Sequence, residues 1–438
     1  MLYQLPEKQI KEKIKSRNVK IAVIGLGRVG LPLASTLADE GFEVIGIDIN
    51  EKVVALTNKG IAFFEDEIGL HDILKKNVAA GRLRASSKME LIDDCDLVVI
   101  AVPTLLTPRK EADIDAVIKV AKHIAKFSKD KVISLESTVP PLTTQKLGKI
   151  IEEQTDLKAG KDFGLAYSPE RIQAPQVLRD LKTYPKIVSG IDEKSVLILS
   201  EIYSTFAPSI IKMSSPVAAE IDKIIENAYR DVNIAFANEL AKLCELYGVD
   251  VFEVIKAANS QPFSHILGPG CGVGGHCIPM DPYYIIRDAE MRGYTPSLLK
   301  TAREINESMP DHVINMVKSR VKKGRVTVLG LSFKPNIKAF EHSHTLKIIE
   351  LLKDYEVVVH DPFLEEEKFP FKTEKDVYKA INGSDCIILC TSHSVYKELE
   401  FKKVKKLMKG NLVVDGRGFF DPKEVVTAGL LYRGVGRA

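Results

Sequence analysis

The 438-residue sequence predicts an α/β protein in which two doubly wound domains are joined by one long central helix. Three features predict it. Between Lys20 and Asp48 a short apolar strand runs into a glycine turn, a helix, a second strand and an acid. A similar alternation of apolar strand and turn restarts at Arg325 and continues to Asp415. Between the two, Ser214 to Tyr247 carries the longest helical pattern in the chain. Alternating β and α segments build parallel sheets covered on both faces, and a chain of this length exceeds one ordinary core. The expected organisation is a dinucleotide-binding domain over residues 1–213, a helical region over 214–323, and a second α/β domain over 324–438.

Apolar residues at 45% and charged residues at 28% fit a soluble globular protein. A net charge of +3, with no dense Lys/Arg run interleaved with aromatics, argues against a nucleic-acid partner. No apolar run reaches the ~20 residues that span a bilayer, and Glu7 to Arg17 is charged where a signal peptide would be apolar. The expected location is the cytoplasm. Six cysteines in 438 residues imply no disulfide framework. Cys386 and Cys390 flank Ile-Ile-Leu and read as core strand residues, and the spacing of Cys271, His276 and Cys277 fits no common zinc pattern, so no metal is expected.

In chain order, Lys20-Ile-Ala-Val-Ile is a strand that passes into Gly25-Leu-Gly27-Arg28-Val29-Gly30 and then a helix to Glu40. Phe42 to Ile47 is the second strand and ends at Asp48. A bare glycine pattern says little. In this strand–turn–helix–strand–acid setting it signals a dinucleotide, with the pyrophosphate on the helix N-terminus and the acid on the ribose. Asp48 would accept from a 2′-OH and repel a 2′-phosphate, which favours NAD over NADP.

Further strands, Asp96 to Val102 and Lys131 to Leu135, end in Thr104 and in Glu136-Ser-Thr138. Strand carboxyl ends line the ligand crevice of such sheets, so both threonines are candidate site residues. Each could equally cap a helix. Leu165-Ala-Tyr-Ser-Pro-Glu170-Arg171 puts a carboxylate at the next strand end.

In the long helix Ser215 suits the N-cap, Pro216 the first turn and Gly248 the stop. Roughly 30 helical residues span ~45 Å, which suits a bridge between domains or a dimer seam. Lys223 and Asn227 share a face at i, i+4; as an isolated pair they also fit a solvated surface. Gly268 to Pro282 holds five glycines and three prolines in fifteen residues, an irregular loop that presents Cys277 beside His276. Alone, that thiol reads as either a buried inert cysteine or a nucleophile. The second α/β domain lacks the glycine fingerprint. Lys334 and Arg417, at its strand ends, are candidate anion contacts.

Taken together, Gly274-Gly-His-Cys277-Ile-Pro-Met-Asp281, Glu220-x-x-Lys223-x-x-x-Asn227, Ser168-Pro-Glu170-Arg171 and Leu329-Gly-Leu-Ser-Phe-Lys334-Pro resemble the UDP-glucose/GDP-mannose dehydrogenase family over residues 18–438. The Gly-Gly-His-Cys-Ile-Pro loop is similar to the branch acting on UDP-N-acetylhexosamines. The resemblance implies two Rossmann-like domains, NAD as cofactor, a UDP-sugar as substrate and a homodimer or higher homo-oligomer. It implies a four-electron oxidation of a C6 alcohol to the uronate through a thiohemiacetal and thioester on Cys277. UDP-N-acetyl-D-mannosamine is the first expectation for the sugar, with UDP-N-acetylglucosamine or UDP-glucose as alternatives. An ordinary two-electron dehydrogenase of the β-hydroxyacid type is a more distant reading.

In the same way the resemblance makes Lys223 an acid/base or oxyanion holder with Asn227 as second donor, and gives Asp281, Glu170 and Thr138 to water. Gly25, Gly27, Arg28, Val29, Gly30, Asp48, Thr104 and Thr138 would bind the cofactor. Substrate contacts would come from Arg171, Ile172, Lys223, Asn227 and Arg230. Phe263, Gly274, Phe333, Lys334 and Arg417 would complete them. Phe263 and Glu341 stand where related members usually carry arginine.

Overall fold

The computed structural model describes residues 2–64, 67–173, 175–364 and 369–437. Two compact units emerge, Met1–Glu226 with Tyr283–Arg292, and Asn227–Pro282 with Gly293–Ala438. The helix Pro216–Tyr247 contributes to both.

The first unit is built on β1 (Lys20–Ile24), β2 (Glu43–Ile47), β3 (Leu83–Ser86) and β4 (Leu97–Ile100), then a two-strand hairpin of β5 (Leu105–Leu106) and β6 (Ala112–Asp113). After the hairpin come β7 (Val132–Leu135), β8 (Gly164–Tyr167), β9 (Lys186–Gly190) and β10 (Ile210–Lys212). Apart from the hairpin they form one sheet in the order β10-β9-β8-β7-β4-β1-β2-β3. The centre is parallel and the β8–β9 pair antiparallel. Strands β4, β7 and β8 are buried along their whole length, as expected of a sheet covered on both faces.

The second unit repeats the plan with β11 (Arg325–Leu329), β12 (Glu356–His360), β13 (Lys372–Thr373), β14 (Cys386–Leu389), β15 (Leu412–Asp415) and β16 (Leu431–Gly434). Their order is β13-β12-β11-β14-β15-β16, all parallel. The correspondence reaches single residues. Gly25 after β1 and Gly330 after β11 have φ of 93° and 92°. A Cβ on Gly25 would lie 2.4 Å from the Ala101 carbonyl oxygen, and one on Gly330 2.4 Å from Thr391 Cβ. Each first turn therefore requires glycine twice over, by conformation and by space.

Beyond that turn the two units differ. Asp361, the counterpart of Asp48, is buried and accepts the amides of Leu331 and Ser332 at 2.8 and 2.9 Å and the His393 ring at 3.0 Å. His393 in turn accepts the Asn336 amide. The acid that would meet a ribose is spent on its own turn, which accounts physically for the missing dinucleotide fingerprint.

The long helix starts and stops as its sequence dictates. Ser215 Oγ accepts the Ala218 amide at 3.3 Å. Gly248, at φ 69°, ends it while the Val249 amide reaches back to the Cys244 carbonyl at 3.0 Å. Among the described residues no helix is long and apolar enough to cross a membrane.

The glycines of the first turn predict a contrast. A Cβ on Gly30 would lie 1.8 Å from the Gly25 carbonyl oxygen, whereas one on Gly27 would meet nothing within 4 Å. Gly30→Ala should cost about 3 kcal/mol or more in urea unfolding. Gly27→Ala should leave the midpoint unchanged while raising KM for the dinucleotide, because the methyl fills space that the backbone leaves open.

Candidate active site

In the first unit the β1 turn has the geometry of a dinucleotide cradle. The helix Gly30–Asp39 begins directly behind it, and its first amides provide the positive end of a helix dipole. Asp48 is held in place by the Leu26 amide on one oxygen and the Asn50 amide on the other, both at 2.8 Å. Arg28 is exposed and stacks over Phe64 at 4.9 Å, and Val29 sits at the helix N-cap. The open space at Gly27 and the fixed carboxylate at Asp48 fit NAD.

Thr104 and Thr138 come together at the ends of β4 and β7. The Thr104 hydroxyl donates to the Thr138 carbonyl at 2.6 Å, and Ser137 donates to the Val102 carbonyl at 2.7 Å. The Thr104 and Ser137 hydroxyls tie the two strand-end loops to each other.

Glu170 is buried and almost fully engaged. One oxygen accepts the amides of Arg171 and Ile172 at 2.7 and 3.1 Å; the other accepts Lys186 at 3.1 Å. Lys186 also donates to Glu136 at 2.9 Å and to the Pro169 carbonyl at 3.3 Å. Beyond it, the Tyr203 hydroxyl donates to the second Glu136 oxygen. Burial pushes the Glu136 carboxyl up, the nearby Glu170 adds to the rise, and Lys186 pulls against both. For Lys186 burial acts downward, but its two carboxylates outweigh it and hold the ammonium protonated. Arg171 is paired with Glu226 at 2.6 Å, so its guanidinium already has an anion. Lys223 is half-buried on the long helix.

In the second unit Asn227 is buried, which rules out a solvated surface for that residue. Its amide donates to Asp281 and accepts from Arg230. Asp281 begins the helix Asp281–Met291, and its amide binds the Cys277 carbonyl at 2.8 Å. Cys277 is the one exposed cysteine of the six. His276, next to it, lies 3.2 Å from Glu341 and edge-on to His342 at 4.6 Å between ring centres. Glu341 thus brings a negative charge to an imidazole beside the thiol.

The loop before Cys277 has no helix or strand of its own, and side-chain amides take the place of a ladder. Asn259 exchanges two hydrogen bonds with the Ile266 backbone, each 2.8 Å. Asn233 holds the His265 carbonyl at 2.7 Å and the Leu267 amide at 2.8 Å, and Asn238 accepts the Gly270 amide at 2.8 Å. Asn238 passes the load inward to Asn306 at 2.8 Å, which donates to Asp231 at 2.7 Å, which also receives Arg303 at 2.6 Å.

Further along, the loop lies flat on Phe333. A Cβ on Gly274 would be 2.6 Å from Phe333 Cβ, and one on Gly275, at φ 98°, would be 2.9 Å from its ring. Arg417 donates to the Cys390 carbonyl at 2.8 Å and the Gly272 carbonyl at 3.4 Å, and lies 2.7 Å from His344. Phe333 and Arg417 therefore pack against the loop that carries Cys277. Lys334 lies next in the chain on the half-buried turn after β11, and Phe263 is 92% exposed in the single chain.

Comparison with known proteins decides the family. Models of the UDP-glucose/GDP-mannose dehydrogenase family match in three segments: the NAD binding domain over residues 19–207, the central domain over 217–308 and the UDP binding domain over 327–422. The chain belongs to this family. A UDP-N-acetyl-D-mannosamine dehydrogenase of Pyrococcus horikoshii is 33% identical over 96% of this chain and 99% of its own. The enzyme of the same name from Methanococcus vannielii is 36% identical over 95% of each. The solved structure of a UDP-D-ManNAc dehydrogenase from Pyrococcus horikoshii superposes with a TM-score of 0.89 at 32% identity, covering 95% of this chain and 99% of that one. As a member of the family the chain is an NAD-dependent oxidoreductase of UDP-sugars.

Three parts of this family site are not legible in the sequence. The asparagine zip and the Lys186–Glu136 pair join residues remote in the chain and leave no local signal. Glu220 stands in a family motif with no role evident from its spacing. It is fully buried and accepts the Leu142 amide at 2.7 Å, the Thr144 amide at 2.7 Å and the Thr144 hydroxyl at 2.6 Å. It thereby caps the helix Thr143–Gln154 from three residues before Lys223.

Burial pushes the Glu220 carboxyl from 4.5 up to about 7, although the three hydrogen bonds pull it down. A folded value above the unfolded one means that folding binds the proton. This contribution is full below pH 4.5 and is lost as pH rises through 7. Chemical denaturation between pH 5 and 8 should show wild type losing on the order of 3 kcal/mol relative to Glu220→Gln. The variant should be less stable overall and lack that slope.

Proposed function

We propose that this family member oxidises the C6 alcohol of a UDP-N-acetylhexosamine, UDP-N-acetyl-D-mannosamine in the first place, to the uronate through Cys277. The observation that carries the reading is an exposed thiol on a loop whose backbone is held by side-chain amides at His265, Ile266, Leu267 and Gly270, with Asn227 and Asp281 bonded to each other and the Asp281 amide on the Cys277 carbonyl. Such immobilisation is wasted on an inert cysteine and is what covalent catalysis requires.

Bound at the Gly25–Gly30 turn, NAD supplies the hydride acceptor for both oxidations. Lys223 takes the proton of the C6 hydroxyl or holds the developing oxyanion, with Asn227 as second donor. The Cys277 thiolate adds to the aldehyde to give a thiohemiacetal, whose oxidation leaves a thioester. Water then attacks the acyl carbon, oriented by Asp281, Glu170 and Thr138, and the C–S bond breaks to release the uronate. Lys334 and Arg417 face the substrate from the UDP-binding domain in this reading, with Ile172, Arg230, Gly274 and Phe333 shaping the sugar pocket. The names of the two relatives support the mannosamine over the alternatives, UDP-N-acetylglucosamine and UDP-glucose.

A panel of UDP-sugars tests this directly. UDP-N-acetylmannosamine should give the highest kcat/KM and form two NADH per sugar; one NADH per sugar would return the two-electron reading. Cys277→Ala should bind cofactor and substrate normally yet lose uronate formation by at least ~10³-fold, about 4 kcal/mol in barrier. Near-normal uronate from that variant would overturn the covalent route.

We also propose a homodimer through the long helix. Tyr229, Phe236, Leu243 and Tyr247 are 59, 53, 46 and 79% exposed in the single chain and recur at heptad-like intervals, an unpartnered apolar seam. Light scattering should give the mass of two chains. Phe236→Asp with Leu243→Asp should shift it toward one.

A further inference from the structure

The cluster around Lys186 contains more charge than the fold needs. Lys186 and Glu136 are buried at 5 and 2% exposure, Glu170 at 7%. A buried ion pair is weak support for stability, since apolar residues of the same volume often serve as well. Here one cation serves two carboxylates. All three Lys186 donors are used: one on Glu136, one on Glu170 and one on the Pro169 carbonyl.

Topology explains how this cation reaches the strand end that carries Glu170. β9 runs antiparallel to β8, with Tyr167 opposite Ser189 and Ala166 opposite Gly190. The start of β9, where Lys186 lies, is therefore carried to the carboxyl end of β8, next to Ser168-Pro-Glu170. A parallel strand would have delivered its other end. Glu136 arrives at the same place from the end of β7, and Tyr203 backs it from the helix Glu193–Tyr203.

The bonds on Glu170 are arranged so that one direction is left over. Its first oxygen takes two backbone amides, which fix the rotation of the carboxylate. Its second takes Lys186 and retains one acceptor direction. A small cavity lined by Glu170, Arg171, Asp180, Tyr184 and Lys186 adjoins it.

We propose that Lys186 is a positioning residue for product release: bridging Glu136 and Glu170, it holds Glu170 in the orientation from which that carboxylate receives a proton from the hydrolytic water. The proposal rests on the thioester reading given above. In the step concerned, the water oxygen bonds to the acyl carbon, and the C–S bond breaks with its electron pair left on Cys277 Sγ. One water proton passes to Glu170, the other is lost to solvent as the new carboxyl group ionises, and the uronate leaves. Lys186 touches none of the reacting atoms. Glu136 and Tyr203 hold the far side of the ammonium so that it does not swing away.

Lys186→Met separates this from a merely structural role. The full-length variant, loaded with UDP-N-acetylmannosamine and NAD, should form NADH in a first turnover and then stall. Intact-mass analysis should show an acyl adduct on Cys277, with steady-state turnover down at least tenfold and KM for the UDP-sugar little changed. Lys186→Arg should recover most of the turnover, and Glu136→Gln should lose less of it than Lys186→Met, because an amide oxygen can still hold the ammonium and the Lys186–Glu170 bond survives. Where Lys186→Met is too unstable to purify, Lys186→Met with Glu136→Gln removes the second buried carboxylate and should show the same stalled adduct. A folded Lys186→Met, or that double variant, turning over at the wild-type rate would overturn the proposal. So would loss of both half-reactions in proportion with no adduct. Glu170→Gln separates the two levels. Full activity there would sink the assignment of Glu170 itself; a stalled adduct there beside normal Lys186→Met would sink only the role of Lys186.

Discussion

The loop that carries Cys277 depends on one buried polar chain: Arg303 to Asp231, Asp231 to Asn306, Asn306 to Asn238, and Asn238 to the Gly270 amide. A segment with this much glycine and proline cannot satisfy its own backbone, and each buried amide left open costs as much as a lost hydrogen bond. Side chains from the long helix and from Ser297–Lys318 make up the deficit. Every link is needed, because a half-satisfied buried network is worse than an apolar core. Removing Arg303 alone would leave Asp231 as an uncompensated buried charge, a change that typically costs about 3–5 kcal/mol.

Glycine supplies the other half of that constraint. Gly274 and Gly275 bring the backbone onto Phe333 closer than any side chain would permit. The loop is held from below by aromatic contact and from the side by amides, and Cys277 follows it exposed. Phe333 and Arg417, expected from the family resemblance to meet the substrate, also perform this packing work. A substitution at either would change the position of the thiol along with any contact to nucleotide.

The first unit solves a different problem, that of placing buried carboxylates. Glu220 is surrounded by donors and still has its carboxyl raised by burial, while Glu136 and Glu170 share one lysine. The departures from the usual family pattern are of another kind. Phe263 projects into solvent, and Glu341 pairs with His276. Both are exposed on the second unit, where a substitution costs the fold little.

The sequence by itself determined the two α/β domains, the dinucleotide turn and the long helix with its ends, and it singled out the motifs that carry Cys277, Lys223 and Asn227. These are written locally: period-two and helical patterns, glycines demanded by a turn, a cap, an acid at a strand end. Only the tertiary structure decided which groups hold them. Lys186 opens a short strand and looks like an ordinary edge lysine; the reversal of β9 buries it between two glutamates. Asn233, Asn238 and Asn259 look like helix-surface amides until the loop folds against them. Asp361 matches Asp48 in position, yet His393 and two amides occupy it. Hydrogen bonds between residues distant in the chain depend on where separate elements arrive, and no local pattern encodes that arrival.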